Sequence, residues 1–187
     1  MRKLLLLLFT SLSLFAFSQS DSLDIKSNTL NFGSKNDSYF LKESVIIGKH
    51  SDVEFVNFYI TNILTGEKRA ALIINSTTGG WTSPLHTERT GAIDSDEIDF
   101  CIKCLNYGKD NLINTKPDNY TELVFTSRDL ATIGMYYEIG NFSKWNLIFR
   151  TGYYSRRPVK SINIKNIDKI IELFILSKSG IDEFLKP

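Results

Sequence analysis

Residues 54–76 read EFVNFYITNILTGEKRAALIINS, and this stretch decides the fold class. Val56, Phe58 and Ile60 alternate with Asn57, Tyr59 and Thr61, the period of two that marks a strand. Thr65-Gly66-Glu67-Lys68 supplies a turn, with Gly66 free to take positive φ. Ala70, Leu72 and Ile74 resume the alternation on a return strand. The stretch is therefore an antiparallel hairpin, and antiparallel sheets tolerate one wet face.

Working outward, Thr77 to Pro84 reads as a loop marked by Gly79-Gly80 and Pro84. A short strand around Thr90 to Ile93 leads into a helix in which Ile98, Cys101, Ile102 and Leu105 form one apolar stripe. Asp94 and Glu97 have capping-box spacing, and Asp96 and Asp99 add negative charge to the first turn. The helix fades between Gly108 and Ile113. Further strands are expected at Tyr120 to Ser127, at Ile133 to Ile139, through Trp145, Leu147 and Phe149, and at Val159 to Ile164. Ile167, Ile170, Ile171 and Phe174 mark a second helix, with Gly180 as its stop or kink. Strands then a helix occur twice, and residues 92–99 can be laid on residues 161–168. A duplicated unit and chance similarity of two strand-to-helix junctions both account for this. The fold class expected is α+β: a curved antiparallel sheet, or two, with two amphipathic helices.

Toward the N-terminus, Val45-Ile46-Ile47 starts the first full strand, and residues 19–44 form a polar arm with a short edge strand near Tyr39-Phe40-Leu41. Before it stands a leader. Arg2 and Lys3 form a positive n-region, Leu4 to Phe17 is an apolar run, and Ala16-Phe17-Ser18 precedes a cleavage site at Gln19. This pattern is that of a bacterial secretory signal peptide over residues 1–18. The run is shorter than the roughly 20 residues that span a bilayer. Export to the periplasm or medium is expected, with no membrane anchor after cleavage and a single α+β domain over residues 45–187.

Composition narrows the partners. Lys and Arg number 22 against 21 Asp and Glu. The leader removes two cations and no acid, leaving the mature chain at −1. Nucleic-acid binders draw most of their affinity from cationic contacts to phosphate, so no nucleic-acid partner is expected. The charge balance names no partner, and a protein and a glycan both stay open.

Motifs with named chemistry are few. Cys101-Ile102-Lys103-Cys104 has the spacing of a redox pair. On a helix, however, side chains at i and i+3 lie roughly 5–6 Å apart at Cβ, against about 3.8 Å in a disulfide. Two reduced packing thiols is the preferred reading, with thiol redox the alternative. The pair is also only half of a structural zinc site, and no metal or cofactor is expected. The acidic cluster at 94–99 lacks the glycine and distal Glu of a calcium loop and reads as helix capping. His50 and His86 are the only histidines. They could serve an exported hydrolase, although no G-x-S-x-G, H-E-x-x-H or phosphate loop accompanies them. Trp81 in its loop, and Tyr153, Tyr154, Arg156 and Arg157 near a strand end, are the candidate ligand-binding residues. The reading that results is an exported, non-catalytic binding or structural module.

Residues 61–68, the junction Ile93 to Glu97, and Asn119-Tyr120-Thr121-Glu122 resemble a group of small exported bacterial proteins of unknown function. That resemblance implies an extracytoplasmic α+β domain and no activity. The strands-then-helix order is also similar in topology to Whirly-type single-stranded nucleic-acid binders, against which export and balanced charge both weigh.

Overall fold

The computed structural model describes residues 27–78, 86–140, 143–150 and 160–187, with the side chains of 76–78, 86–90 and 160 outside that description. Residues 1–18, expected to be a leader, and the candidate binding residues Trp81, Tyr153, Tyr154, Arg156 and Arg157 lie outside the described residues. A short helix α1 (Asn28–Phe32) comes first, then strands β1 (Phe40–His50), β2 (Val53–Asn62), β3 (Lys68–Thr78) and β4 (His86–Asp94), and helix α2 (Ile98–Asn111). Strands β5 (Thr121–Thr126), β6 (Thr132–Glu138), β7 (Lys144–Arg150) and β8 (Lys160–Asn163) follow, then a 3-10 turn (Ile164–Asn166) and helix α3 (Ile167–Leu185). The strands form two four-stranded antiparallel meanders, β1-β2-β3-β4 (sheet A) and β5-β6-β7-β8 (sheet B). The architecture is α+β, with three α-helices rather than two among the described residues.

The helices are exchanged between the sheets. Helix α2 follows sheet A but packs on β5 and β6, while α3 follows sheet B but packs on β1, β2 and β3. Glycines permit both approaches. A Cβ on Gly108 of α2 would lie 2.3 Å from Met135 Cε, and one on Gly48 of β1 would lie 2.6 Å from Leu173 Cδ2 of α3. The inner faces of the two sheets and the two long helices enclose one core. Phe55 of sheet A meets Phe149 of sheet B and Phe174 of α3 edge-on, at 6.3 and 5.2 Å between ring centroids. Such T-shaped pairs add to the burial of ring area.

First, the structure assigns the faces of β2, which alternation left open, and three expectations are then corrected. The inward phase of β2 is Val53, Phe55, Asn57 and Tyr59, in register with Ile74, Leu72 and Ala70. The alternation of Val56, Phe58 and Ile60 is real, but it belongs to the outer face. There α1 covers Ile60, whose Cδ1 comes within 2.6 Å of a Cβ built on Gly33. Both faces of β2 are therefore partly apolar, and alternation alone could not choose between them. Second, the polar arm holds α1, and the first strand starts at Phe40 and runs unbroken through Val45. Third, Gly180 does not stop α3, which continues to Leu185. Its bare backbone instead admits Asn57 Nδ2 and Tyr59 Oη, each 3.1 Å from where a Cβ would sit. Fourth, α2 begins only at Ile98, so the capping spacing at Asp94 falls before the helix and Cys101 is its fourth residue.

Two buried polar networks fix how the pieces meet. Asn57, fully buried, donates to the Ser177 carbonyl at 2.9 Å and accepts from the Ser177 hydroxyl, pinning α3 on β2. Asp94, at the end of β4, accepts from Ser27 Oγ (2.8 Å), from the Asn28 and Thr29 backbone N–H groups (2.8 and 3.1 Å), and from Arg128 Nη2 (3.1 Å). One carboxylate thus ties α1, sheet A and the β5–β6 turn together. No helix among the described residues is long and apolar enough to cross a membrane.

Candidate functional site

Cys101 faces the core, and Cys104 is partly buried on the same helix. Cys101 is fully buried and belongs to the apolar stripe of α2. Burial pushes its thiol well above the ordinary range, and the Cys104 thiol is raised by the same cause. A nucleophilic pair needs the opposite shift. The neighbouring Cys104 adds to the rise at Cys101.

Among the described side chains, no Ser or carboxylate is hydrogen-bonded to the Nε2 of His50. His50 ends β1 beside a tight turn in which Ser51 and Asp52 both have positive φ. Its Nε2 is buried and makes no hydrogen bond. His86 opens β4, and its side chain is outside the described set. Among the described residues, no group of three or more His, Cys, Asp or Glu side chains could hold a metal ion.

The acidic cluster works as scaffolding rather than by side-chain capping. Glu97 is itself the N-cap of α2 and makes no side-chain cap bond, and its Oε2 instead accepts from the Asp94 N–H at 3.2 Å. Its other oxygen accepts from the Arg128 N–H at 2.9 Å. Asp94 and Asp96 serve Arg128 rather than the helix end. The hydrogen bond from Arg128 lowers the Asp96 carboxyl, whereas desolvation raises that of Glu97.

The surface with the most developed chemistry is the outer face of sheet B. Antiparallel pairing puts directly opposed residues on one face. The register gives a row of Glu122, Tyr136, Asn146 and Asn163 across β5 to β8. The next row is Val124, Gly134, Ile148 and Ser161, and the third is Thr126, Thr132 and Arg150. The opposite phase, with Leu123, Met135, Leu147 and Ile162, points into the core.

Two side chains bridge this face diagonally. Arg150 on β7 forms an ion pair with Glu122 on β5, so it spans β6 at the level of Gly134. A Cβ at Gly134 would lie 2.1 Å from the Leu123 carbonyl oxygen, so only glycine fits. Its missing side chain also leaves the passage for the guanidinium. Tyr136 on β6 reaches over β7, and its hydroxyl donates to Ser161 Oγ on β8 at 3.1 Å. Beneath these bridges Ile148 and Asn146 are buried although they lie on the outer face. Tyr120, 57% exposed, lies with its ring centroid 6.2 Å from that of Tyr136 and tilted by 35°. Its hydroxyl donates to Glu122, and desolvation together with that carboxylate raises the Tyr120 phenol. The result is a braced platform: two tyrosine rings, a paired cation and anion, and a margin of amides and hydroxyls.

None of these five residues, Tyr120, Glu122, Tyr136, Arg150 and Ser161, stands out in the sequence. Each sits on the polar phase of its strand, where an exposed Tyr or Glu is ordinary. The available signal was that successive strands carry an aromatic or charged residue in the same phase. Reading it requires the cross-strand register, which strand patterns alone do not supply. Comparison with protein-family models, curated proteins and solved structures finds no match to this chain.

Proposed function

We propose that this chain is an exported, non-catalytic binding module whose working surface is the outer face of sheet B. The observation that carries the reading is the bracing of that face. Tyr136 and Arg150 are held by Ser161 and Glu122 across intervening strands, and Tyr120 is oriented by Glu122. Aromatic side chains fixed before contact lose little freedom on binding, and Tyr and Arg are the residues that most often anchor recognition. Because Glu122 and Arg150 neutralise each other, neither is a free acid or base, which favours binding over catalysis. The leader over residues 1–18 supports a site of action outside the cytoplasm.

The test is expression with the native leader in a bacterial host, followed by fractionation and N-terminal sequencing. The mature chain is expected to begin at Gln19 outside the cytoplasm and to sediment with envelope fragments. Tyr120→Ala combined with Tyr136→Ala should abolish sedimentation of a chain that keeps the parent's far-UV circular dichroism spectrum, whereas Tyr39→Ala should sediment like the parent. Recovery of a chain starting at Met1 from the cytosol would contradict the export, and sedimentation indifferent to the tyrosines would contradict the surface.

A further inference from the structure

We infer that the platform on sheet B takes a neutral saccharide chain. This rests on the reading of that face as the binding surface and specifies its ligand. The first argument is charge. Glu122, Glu138, Lys144 and Arg150 are the charged side chains in the outward phase of sheet B, and their formal charges cancel. Glu122 and Arg150 are joined as an ion pair. Among the described outward residues, a phosphorylated or carboxylated ligand would find no uncompensated cation.

The second argument is the mixture of groups. Pyranose rings present C–H faces that lie on aromatic rings, and hydroxyl rims that both donate and accept. Tyr120 and Tyr136 provide two neighbouring rings at 6.2 Å. Ser161, which accepts from Tyr136, and Asn163 in the row of Tyr136 supply groups that both donate and accept, while Thr126 and Thr132 lie two rows away at the far end of the face. The Thr126 and Thr132 hydroxyls lie 3.2 Å apart, offering one shared polar point. The third argument is what the face lacks relative to the rest of the described surface. A protein interface has a desolvated apolar centre. The exposed aliphatic side chains are concentrated elsewhere, at Leu41, Val45 and Ile46 on β1 and at Ile175 and Leu176 on α3, whereas the sheet B face exposes only Val124. Ile148, its other aliphatic residue, is covered.

Affinity electrophoresis of residues 19–187 through gels containing laminarin, hydroxyethylcellulose, starch or mannan, with alginate as the anionic control, tests this. Retardation by at least one neutral polymer and none by alginate is expected. Tyr120→Ala and Tyr136→Ala should each weaken it about tenfold, while Tyr39→Ala on β1 should change nothing. No retardation by any neutral polymer, retardation by alginate alone, or tyrosine variants that migrate like the parent would overturn the inference. Sedimentation with protease-digested envelope separates the two levels. Tyrosine-dependent sedimentation that digestion abolishes assigns the ligand as protein and overturns the saccharide alone. Sedimentation that ignores the tyrosines removes the surface itself.

Discussion

Asp94 and its neighbours show how closely spaced carboxylates acquire opposite roles from their surroundings. Asp94 is nearly inaccessible and accepts from four donors, while Asp96, two residues on, is largely exposed and holds the outer side of Arg128. Glu97, between burial and solvent, spends both oxygens on backbone N–H groups. The shifts that follow have opposite signs. The hydrogen bond from Arg128 lowers Asp96 below its ordinary 3.8, so its contribution to stability is present above that pH and disappears as the pH falls through the lowered value. Desolvation raises Glu97 above 4.5, so stability linked to it is full below that pH and declines as the pH climbs through the raised value. Urea midpoints measured from about pH 3 to 7 should therefore fall more steeply at the acid end in the parent than in Asp96→Asn. An identical acid limb in the variant would show that Asp96 is not linked to folding. None of this was visible in residues 94–99 alone. Capping-box spacing was legible there, but Arg128 and Ser27 are distant in sequence and arrive only with the fold.

At the scale of elements, helix α3 tests how propensity and packing compete. Glycine inside a helix costs about 1 kcal/mol relative to alanine, so Gly180→Ala would stabilise an isolated helix. Here the added methyl would press on Asn57 Nδ2 and Tyr59 Oη, both at 3.1 Å. Asn57 is bound by Ser177, and Tyr59 is stacked on Phe184 with centroids 4.5 Å apart, so neither can retreat cheaply. Gly180→Ala is expected to lower the thermal midpoint despite its better propensity, and a rise would mean that the contact yields. The same element explains what the sequence reveals. The apolar stripe of Ile167, Ile170, Ile171 and Phe174 announces the helix because its period is local. The helix passes through Gly180 because a partner on another strand occupies the space, and no window of residues around position 180 contains that partner. Strand β2 teaches the same lesson: its alternation was plain, yet with α1 on one side and α3 on the other, both phases carry apolar residues.

Over the whole molecule, the exchange of helices binds the halves into one folding unit. Sheet A is covered by the helix that follows sheet B, and sheet B by the helix that follows sheet A. Neither strands-then-helix segment can bury its sheet with its own helix. The α+β class and the order of elements followed from periodicity, because antiparallel meanders keep neighbours in sequence adjacent in space. The platform did not, because its residues come from four strands and the unbroken register between them. Two surfaces then compete as the place where a partner would bind: the braced face of sheet B and the long edge strand β1, with Tyr39, Leu41 and Ile46 exposed. Edges of that kind can pair with another strand. Hydroxyl-radical footprinting of the mature chain, alone and on envelope fragments, distinguishes them. The account predicts that oxidation of Tyr120 and Tyr136 drops on binding while that of Tyr39, Leu41 and Ile46 does not. Protection confined to the β1 residues, with Tyr120 and Tyr136 oxidised as in the free chain, would contradict it.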